Sequence, residues 1–110
     1  MTKKFKDLQR NDKIYVICYN ITEGSNIIKE VMELTVTSIE PINLGFIIKA
    51  RDIEGNDHHR FTVEHESAYD DSVECYEGVL VYDKEHAKEH VETELKKITK
   101  TYNKILKGLE

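Results

Sequence analysis

The chain of 110 residues contains no tryptophan, one proline and two cysteines. Cys18 and Cys75 lie far apart and match no CxxC or Cys/His spacing, so we expect buried structural thiols rather than a disulfide or a reactive thiol. No apolar run approaches the roughly 18 residues of a membrane span. No apolar segment follows the basic start MTKKFKDLQR, as a secretory signal would require. The expected location is therefore the cytoplasm.

Motifs that mark common enzyme classes are also absent from the sequence. It has no GxSxG, no phosphate-binding GK[ST] loop and no GxGxxG. The serines fall in predicted turns and at strand ends, where serine is ordinary. A catalytic function is therefore the less favoured class, and no cofactor is expected.

Charge is unevenly distributed along a chain whose formal net charge is −5. Residues 1–13 carry five basic and two acidic side chains, whereas residues 52–83 carry ten carboxylates and one arginine. Residues 84–110 carry seven lysines and five glutamates. Phosphate contacts need clustered Lys and Arg, so the middle of the chain does not suit nucleic acid. A basic protein partner or a divalent cation suits it better.

The length fits one domain over residues 1–110, with strands in 1–82 and a helix in 83–109. The first strand is predicted at 13–20 and is apolar at both parities, which indicates cover on both faces. We expect one face of this strand to line a barrel interior, with Ile14, Val16 and Cys18. We expect the other face to contact the helix, with Tyr15, Ile17 and Tyr19. A turn cluster follows at 22–26, where Gly24 or Asn26 can take a positive φ.

Four further strands complete the predicted fold, an α+β domain with a five-stranded antiparallel, barrel-like sheet. Their predicted ranges are 27–39, 44–51, 58–63 and 78–82. Pro41 fits a strand end, and Gly55-Asn56 forms the centre of a hairpin turn. The acidic segment 64–77 is too long for a tight turn, and we expect at most a short helical turn in it.

The last element is predicted to be one long amphipathic helix. Asp83 suits the N-cap, Glu85 the first turn, and Gly108 a position near the C-cap. Apolar residues recur at steps of three and four and form a single stripe: Ala87, Val91, Leu95, Ile98, Tyr102, Ile105, Leu106 and Leu109. A small sheet covers only part of such a stripe, so we expect its distal end to meet a second copy in a homodimer.

The candidate partner surface lies in the acidic segment. Its residues are Glu64, Glu66, Tyr69, Asp70, Asp71 and Tyr76. Carboxylates attract basic partners, and tyrosine is common at binding surfaces. The run Glu64-His65-Glu66 is the best candidate for a cation or acid/base cluster, but its spacing does not match a calcium loop. We expect a charged interaction loop here rather than a metal site.

Histidine and tyrosine outside that segment receive plainer interpretations. His86 and His90 are four residues apart on the helix, a spacing that can hold a metal ion. The direction of the apolar stripe places His86 away from the core face and His90 at its edge, and no HExxH motif is present. We therefore expect a solvated helix face here rather than a metal site. Most tyrosines are expected to pack half-buried with the hydroxyl in water.

The opening of the chain resembles a known class of small barrels. Phe5-x-x-Leu8-x-x-Asn11-Asp12-x-Ile14-Tyr15 is similar to the hxxLxxGDxIY start of Src-homology-3-like barrels, with Asn11 in place of the usual glycine. Asparagine tolerates the same backbone region. Five strands followed by a helix that begins through Val81-Tyr82-Asp83 also resemble small phage and prophage proteins. The resemblance implies a fold and a genomic setting and transfers no site residues.

Three functions are consistent with these patterns. The favoured one is a non-catalytic interaction module, of the phage or mobile-element type, that binds a protein through residues 52–83 or the helix. The first alternative is a nucleic-acid-associated accessory protein that uses the helix lysines and Lys3, Lys4, Lys6 and Arg10. The second is a small metal-dependent enzyme centred on the Glu64-His65-Glu66 run.

Overall fold

The computed structural model describes residues 4–19 and 27–110. Within these ranges it contains six strands, two short 3-10 turns and one α-helix. The strands are β1 (Lys13–Tyr19), β2 (Ile28–Ile42), β3 (Gly45–Asp52), β4 (His59–Glu64), β5 (Ser72–Cys75) and β6 (Gly78–Val81), the helix is α1 (Lys84–Leu109), and the 3-10 turns are Phe5–Asp7 and His65–Ser67. The turn predicted at 22–26 lies outside the described residues.

The strands form one antiparallel sheet in the order β4-β3-β2-β1-β6-β5. A register shift between Val36 and Ser38 marks a bulge in β2, and such bulges bend long strands. The curled sheet is nearly closed and barrel-like, because Val63 of β4 and Leu80 of β6 pack in the same core. The predicted α+β fold with a barrel-like sheet and a C-terminal helix is therefore confirmed.

The expectation of five strands is wrong, because the acidic segment contains β5. This edge strand is only four residues long and pairs with β6. Only Val73 and Cys75 of this strand pack against the core, so its alternation of apolar and polar residues contains just two apolar positions. So short a pattern inside an acidic segment gives no clear strand signal.

The first strand divides its side chains between two layers, as predicted. Its even positions belong to the buried cluster inside the barrel: Ile14, Val16 and Cys18. On its other face, Ile17 is buried in a second cluster with Val81 and Ala87, and Tyr15 and Tyr19 pack around it. Strand β1 is thus the layer between the barrel interior and the first turns of α1.

The turn before β1 confirms the role expected of Asn11. This residue has φ 77° and is the single non-glycine residue with positive φ in the described parts of the chain. Its N–H donates to the Val36 carbonyl oxygen at 2.8 Å, and Val36 N–H donates to the Asp12 carbonyl oxygen at 2.8 Å. The left-handed residue therefore lets the turn pair with β2.

We expect Asn11→Gly to leave the free energy of unfolding within about 0.5 kcal/mol of wild type. Asn11→Ala is expected to lower it by about 1 kcal/mol, because alanine is strained at positive φ and glycine is not. Urea unfolding of both variants measures the difference. Equal losses would contradict this account and assign the effect to the asparagine side chain instead of to the backbone.

Asp52 organises the turn between β3 and β4. Its Oδ1 accepts N–H groups from Glu54 and Asn56, each at 3.0 Å, and its Oδ2 lies 3.0 Å from His59 Nε2. The predicted turn residue Gly55 has φ 92°. The hydrogen bond with His59, together with the bonds from the two backbone amides, lowers the pKa of Asp52 to about 2. The ionised carboxylate therefore stabilises the folded hairpin.

A lowered pKa in the folded state predicts a definite pH dependence. The stabilisation from Asp52 is complete above its ordinary pKa near 3.8 and is lost as the pH falls from there to about 2. We expect Asp52→Asn to be less stable than wild type at pH 6, with the difference shrinking across this window. Urea unfolding at a series of pH values measures it, with Asp57→Asn, an exposed change in the same loop, as control. A wild-type advantage that is unchanged at the lowest pH would contradict the prediction.

In the described ranges, no helix is both long enough and apolar enough to cross a membrane.

Candidate functional site

The start of α1 is held by a chain of hydrogen bonds that joins the helix to Tyr82, the buried residue just after β6. The predicted N-cap is confirmed, since Asp83 Oδ1 accepts the His86 N–H at 2.8 Å. The same oxygen lies 2.8 Å from His86 Nδ1, and the Tyr82 hydroxyl lies 3.0 Å from His86 Nε2. In the tautomer that carries its proton on Nδ1, the ring donates to the Asp83 carboxylate and accepts from the Tyr82 hydroxyl at Nε2.

This chain has the order acid, imidazole and hydroxyl, as in nucleophile-activating triads, but its hydroxyl is unsuited to catalysis. Tyr82 is only 1% exposed, so a substrate cannot reach its ring. Burial raises the pKa of Tyr82 above its usual value, which keeps the phenol protonated. The bonds therefore hold the helix on the sheet.

A second tyrosine–histidine pair lies one helical turn further along. The Tyr19 hydroxyl of β1 bonds to His90 Nε2, and the two rings meet edge to face with centroids 6.1 Å apart. Burial raises the pKa of Tyr19, so this hydroxyl also stays protonated. Two polar links and the buried Ala87 thus fix the first three turns of α1, residues 84–94, called here the fixed segment.

The prediction that His86 and His90 lie on the solvated side of the helix is wrong. Both are half-buried, and each meets a tyrosine hydroxyl, His86 that of Tyr82 after β6 and His90 that of Tyr19 in β1. The apolar stripe predicts only apolar contacts with the sheet, whereas tyrosine ends in a polar group that needs a partner when it is buried. A detectable signal was the spacing of Tyr82 and His86, four residues apart across the helix start.

The predicted acidic surface is fully exposed but not continuous. All six residues are on the outside: Glu64, Glu66, Tyr69, Asp70, Asp71 and Tyr76. Glu64 ends β4, while Tyr69 and Tyr76 lie at opposite ends of β5. The structure thus places Tyr69, Asp70 and Asp71 in one loop and leaves Tyr76 in a separate turn.

Lys4 and Lys6 lie against this loop, so part of the basic N-terminal region and part of the acidic segment form one mixed surface. Lys4 Nζ lies 2.6 Å from Asp71 Oδ1, and Lys6 Nζ lies 5.2 Å from the centre of the Tyr69 ring. The hydrogen bond to Asp71 raises the pKa of Lys4 and lowers that of Asp71. This pairing reduces the attraction of the loop for a basic partner and that of the lysines for nucleic acid.

Neither cysteines nor histidines form a reactive or metal-binding group in the described parts. Both cysteines are free thiols; Cys18 is buried and Cys75 half-buried. Burial, with the nearby Glu77 carboxylate, raises the pKa of Cys18 to about 11, and a thiol in that state is a poor nucleophile. Within residues 4–19 and 27–110 no three His, Cys, Asp or Glu side chains are arranged to hold a metal ion. His65 and the two glutamates beside it are all exposed.

The second half of α1, residues 95–109, carries five of the eleven large apolar side chains that are exposed in the described residues. We call it the projecting segment, because the molecule is 57 Å long but only 30 Å and 23 Å across, and a helix of 26 residues is about 39 Å long. Leu95 is 60% exposed, Tyr102 61% and Leu109 80%, and Ile105 and Leu106 are also more than half exposed. The expected long stripe is therefore present, and the sheet covers only its first part.

The charge of the projecting segment is of one sign. It contains five lysines and no carboxylate, whereas the fixed segment contains four glutamates and two lysines. In sequence order the five are Lys96, Lys97, Lys100, Lys104 and Lys107. Lys97 Nζ lies 3.3 Å from Glu94 Oε1, so this ion pair connects the end of the fixed segment to the start of the projecting segment.

A basic groove lies on another part of the molecule, outside β3 and β4. Arg51 and Arg60 line it with Lys49 and the exposed His58. Acidic groups share the surface, since Lys49 Nζ lies 2.9 Å from Glu40 Oε1. Sequence reasoning missed this groove, because two of its basic residues occupy alternate positions of one strand and the third lies on its neighbour.

No protein-family model, curated protein or solved structure matches this chain.

Proposed function

We propose that this protein is a non-catalytic interaction module that binds a protein partner through the apolar stripe of the projecting segment. The observation that carries the proposal is the continuity of the stripe. Ala87 of the fixed segment is buried on the sheet, while Leu95, Tyr102 and Leu109 on the projecting segment face solvent. A folded chain that exposes so large an apolar patch on one element commonly uses it to bind.

The composition of the projecting segment supports the same proposal. Isolated helices of about 15 residues are marginal in water even when they are rich in alanine. This segment contains Thr99, Thr101, Asn103 and Gly108, all weak helix formers. A partner that covers the stripe would supply the packing that the segment lacks on its own.

Site-specific photocrosslinking in cells that express the full chain tests the proposal. A photoreactive amino acid at Ile105, on the stripe, is expected to give adducts with a protein identified by mass spectrometry. The same group at Lys100, on the opposite side of the helix, serves as the matched control and is expected to give none. Absence of adducts from the stripe position, or equal adducts from both positions, would overturn the proposal.

Nucleic-acid association is a second candidate function, favoured by the basic groove beside β3 and β4. Its arginines can form charge-assisted bonds to phosphate. Binding through this groove predicts an affinity for DNA or RNA that falls steeply with salt and drops in the double variant Arg51→Ala/Arg60→Ala. Unchanged affinity in that variant, or no binding at low salt, would remove this candidate.

A further inference from the structure

We infer that the partner of the projecting segment is a second copy of this chain, and that the two segments pair antiparallel with Tyr102 of each copy on the two-fold axis. The inference rests on the proposed function, because it identifies the occupant of the same stripe. Four features of the projecting segment carry it: the spacing of the stripe, the residues beside it, the position of the sheet and the area exposed.

The spacing of the apolar residues is that of a helix that packs on another helix. Val91, Leu95, Ile98, Tyr102, Ile105 and Leu109 follow one another at steps of four, three, four, three and four. This strict alternation repeats every 3.5 residues, which is the pattern of a coiled-coil contact line. A helix that packs on a sheet or fills an irregular groove has no need of it.

The positions beside this contact line do not oppose pairing of like chains. In the projecting segment they hold Thr99, Thr101, Leu106 and Gly108, none of which is charged. All five lysines lie at the remaining, outward positions. Two copies can therefore approach along the stripe without placing lysine against lysine, even though each segment is strongly basic.

The sheet determines the direction of pairing. It covers the stripe side of α1 in the fixed segment, where Ala87 is buried between Ile17 and Val81. A parallel second helix packed along the projecting segment would have to continue through this sheet. A second helix that packs antiparallel covers the projecting segment from the sheet edge to the free end at Leu109. The sheet of the second copy then lies beyond that end. Only the antiparallel arrangement therefore covers both projecting segments in full.

The overlap of two such segments fixes the register. Residues 95–109 of each copy, about 22 Å of helix, overlap completely when Tyr102 lies at the centre and Leu95 of one copy faces Leu109 of the other. The end of the second helix then enters the recess that Ile27, Ile98 and Tyr102 line together with Thr101 and the Glu94–Lys97 ion pair. This covers Ile27, which is 53% exposed in the single chain.

The exposed apolar side chains of the stripe can form the small interface of a specific but weak dimer. Each copy contributes five side chains that are more than half exposed, Leu95, Tyr102, Ile105, Leu106 and Leu109, and the half-buried Ile98. Complexes that bury only about 1,000 Å² in total are generally weak or transient. The dimer is therefore expected to form and dissociate over an accessible concentration range.

Sedimentation equilibrium of the full chain tests the inference. We expect a monomer–dimer equilibrium whose dissociation constant rises at least about tenfold in Ile105→Lys, as for other central apolar contacts. Asn103→Lys is the matched control, because it adds the same charge to the same segment away from the contact line. A monomer at all concentrations, or equal weakening by both variants, would overturn the inference.

Disulfide trapping tests the direction of pairing. Copies that carry Leu95→Cys are mixed with copies that carry Leu109→Cys and oxidised, with the unsubstituted chain as control for Cys18 and Cys75. Antiparallel pairing predicts the mixed 95–109 disulfide, whereas bonds between like positions would show parallel pairing and overturn the inference.

The two proposals can fail separately. A monomeric chain that still gives stripe-dependent adducts with another protein in cells retains the proposed function and loses the dimer. A monomeric chain that sediments with vesicles of anionic lipid, in a manner that Ile105→Lys reduces, assigns the stripe to a lipid surface. That result would overturn both proposals.

Discussion

Ile17→Asp is expected to release α1 from the sheet and to lower the free energy of unfolding by roughly 4 kcal/mol or more, since it leaves an unpaired charge in a buried apolar cluster. Ile17 is fully buried beneath the helix and contacts the cluster that contains Val81 and Ala87. Amide hydrogen exchange is expected to show lost protection in the fixed segment and retained protection in the β2–β3–β4 meander.

Two further variants keep this prediction testable. Ile53→Asp makes the same substitution at a side chain that is 90% exposed and should leave both stability and helix protection unchanged. Ala87→Asp places the charge on the helix side of the same cluster and should reproduce the release of α1 without altering the central strand. Native protection of the fixed segment in Ile17→Asp and Ala87→Asp would show that the helix is held by contacts other than these.

Gly78→Ala is expected to cost about 3 kcal/mol, at the upper end of the usual range for overpacking. A Cβ added at Gly78 would lie 2.0 Å from the Ile17 carbonyl oxygen and 2.9 Å from Cδ2 of Tyr19. The oxygen belongs to the backbone of a central strand and cannot move without breaking the pairing of β1 with β6. Thermal unfolding followed by circular dichroism measures the loss.

Gly108→Ala is the matched control for this substitution. No atom lies within 4 Å of a Cβ added at Gly108, and the residue is within α1. Alanine is a better helix former than glycine, so this variant should gain up to about 1 kcal/mol in helix stability. A similar loss in both variants would contradict the explanation from close backbone approach.

The parts of the fold that follow from local patterns were predictable from the sequence. The two apolar faces of β1 predicted a strand between two layers, and the period of the last 27 residues predicted α1 with its cap at Asp83. Asn11 was predicted to adopt a glycine-like backbone, and it does. Each of these features depends on neighbours in the chain, which a sequence displays directly.

Features that depend on distant contacts were not predictable in the same way. Strand β5 owes its pairing to β6 and carries too few apolar residues to show a period. His90 lies where the Tyr19 hydroxyl of β1 reaches the helix, and Lys4 meets Asp71 across 67 positions of the chain. The Src-homology-3-like type of the barrel depends on the opening motif alone and stays a prediction.

The edge strands have a consequence for how copies of this chain can associate. Edge strands with free N–H and C=O groups invite further strands to add, and proteins avoid this with short or charged edges. Here one edge is the four-residue β5, which carries the exposed Glu74, and the other is β4, which carries the exposed Arg60 and Glu64. Amyloid-like growth from either edge is thus disfavoured, which agrees with the proposal that copies of this chain join through the helix in a closed dimer.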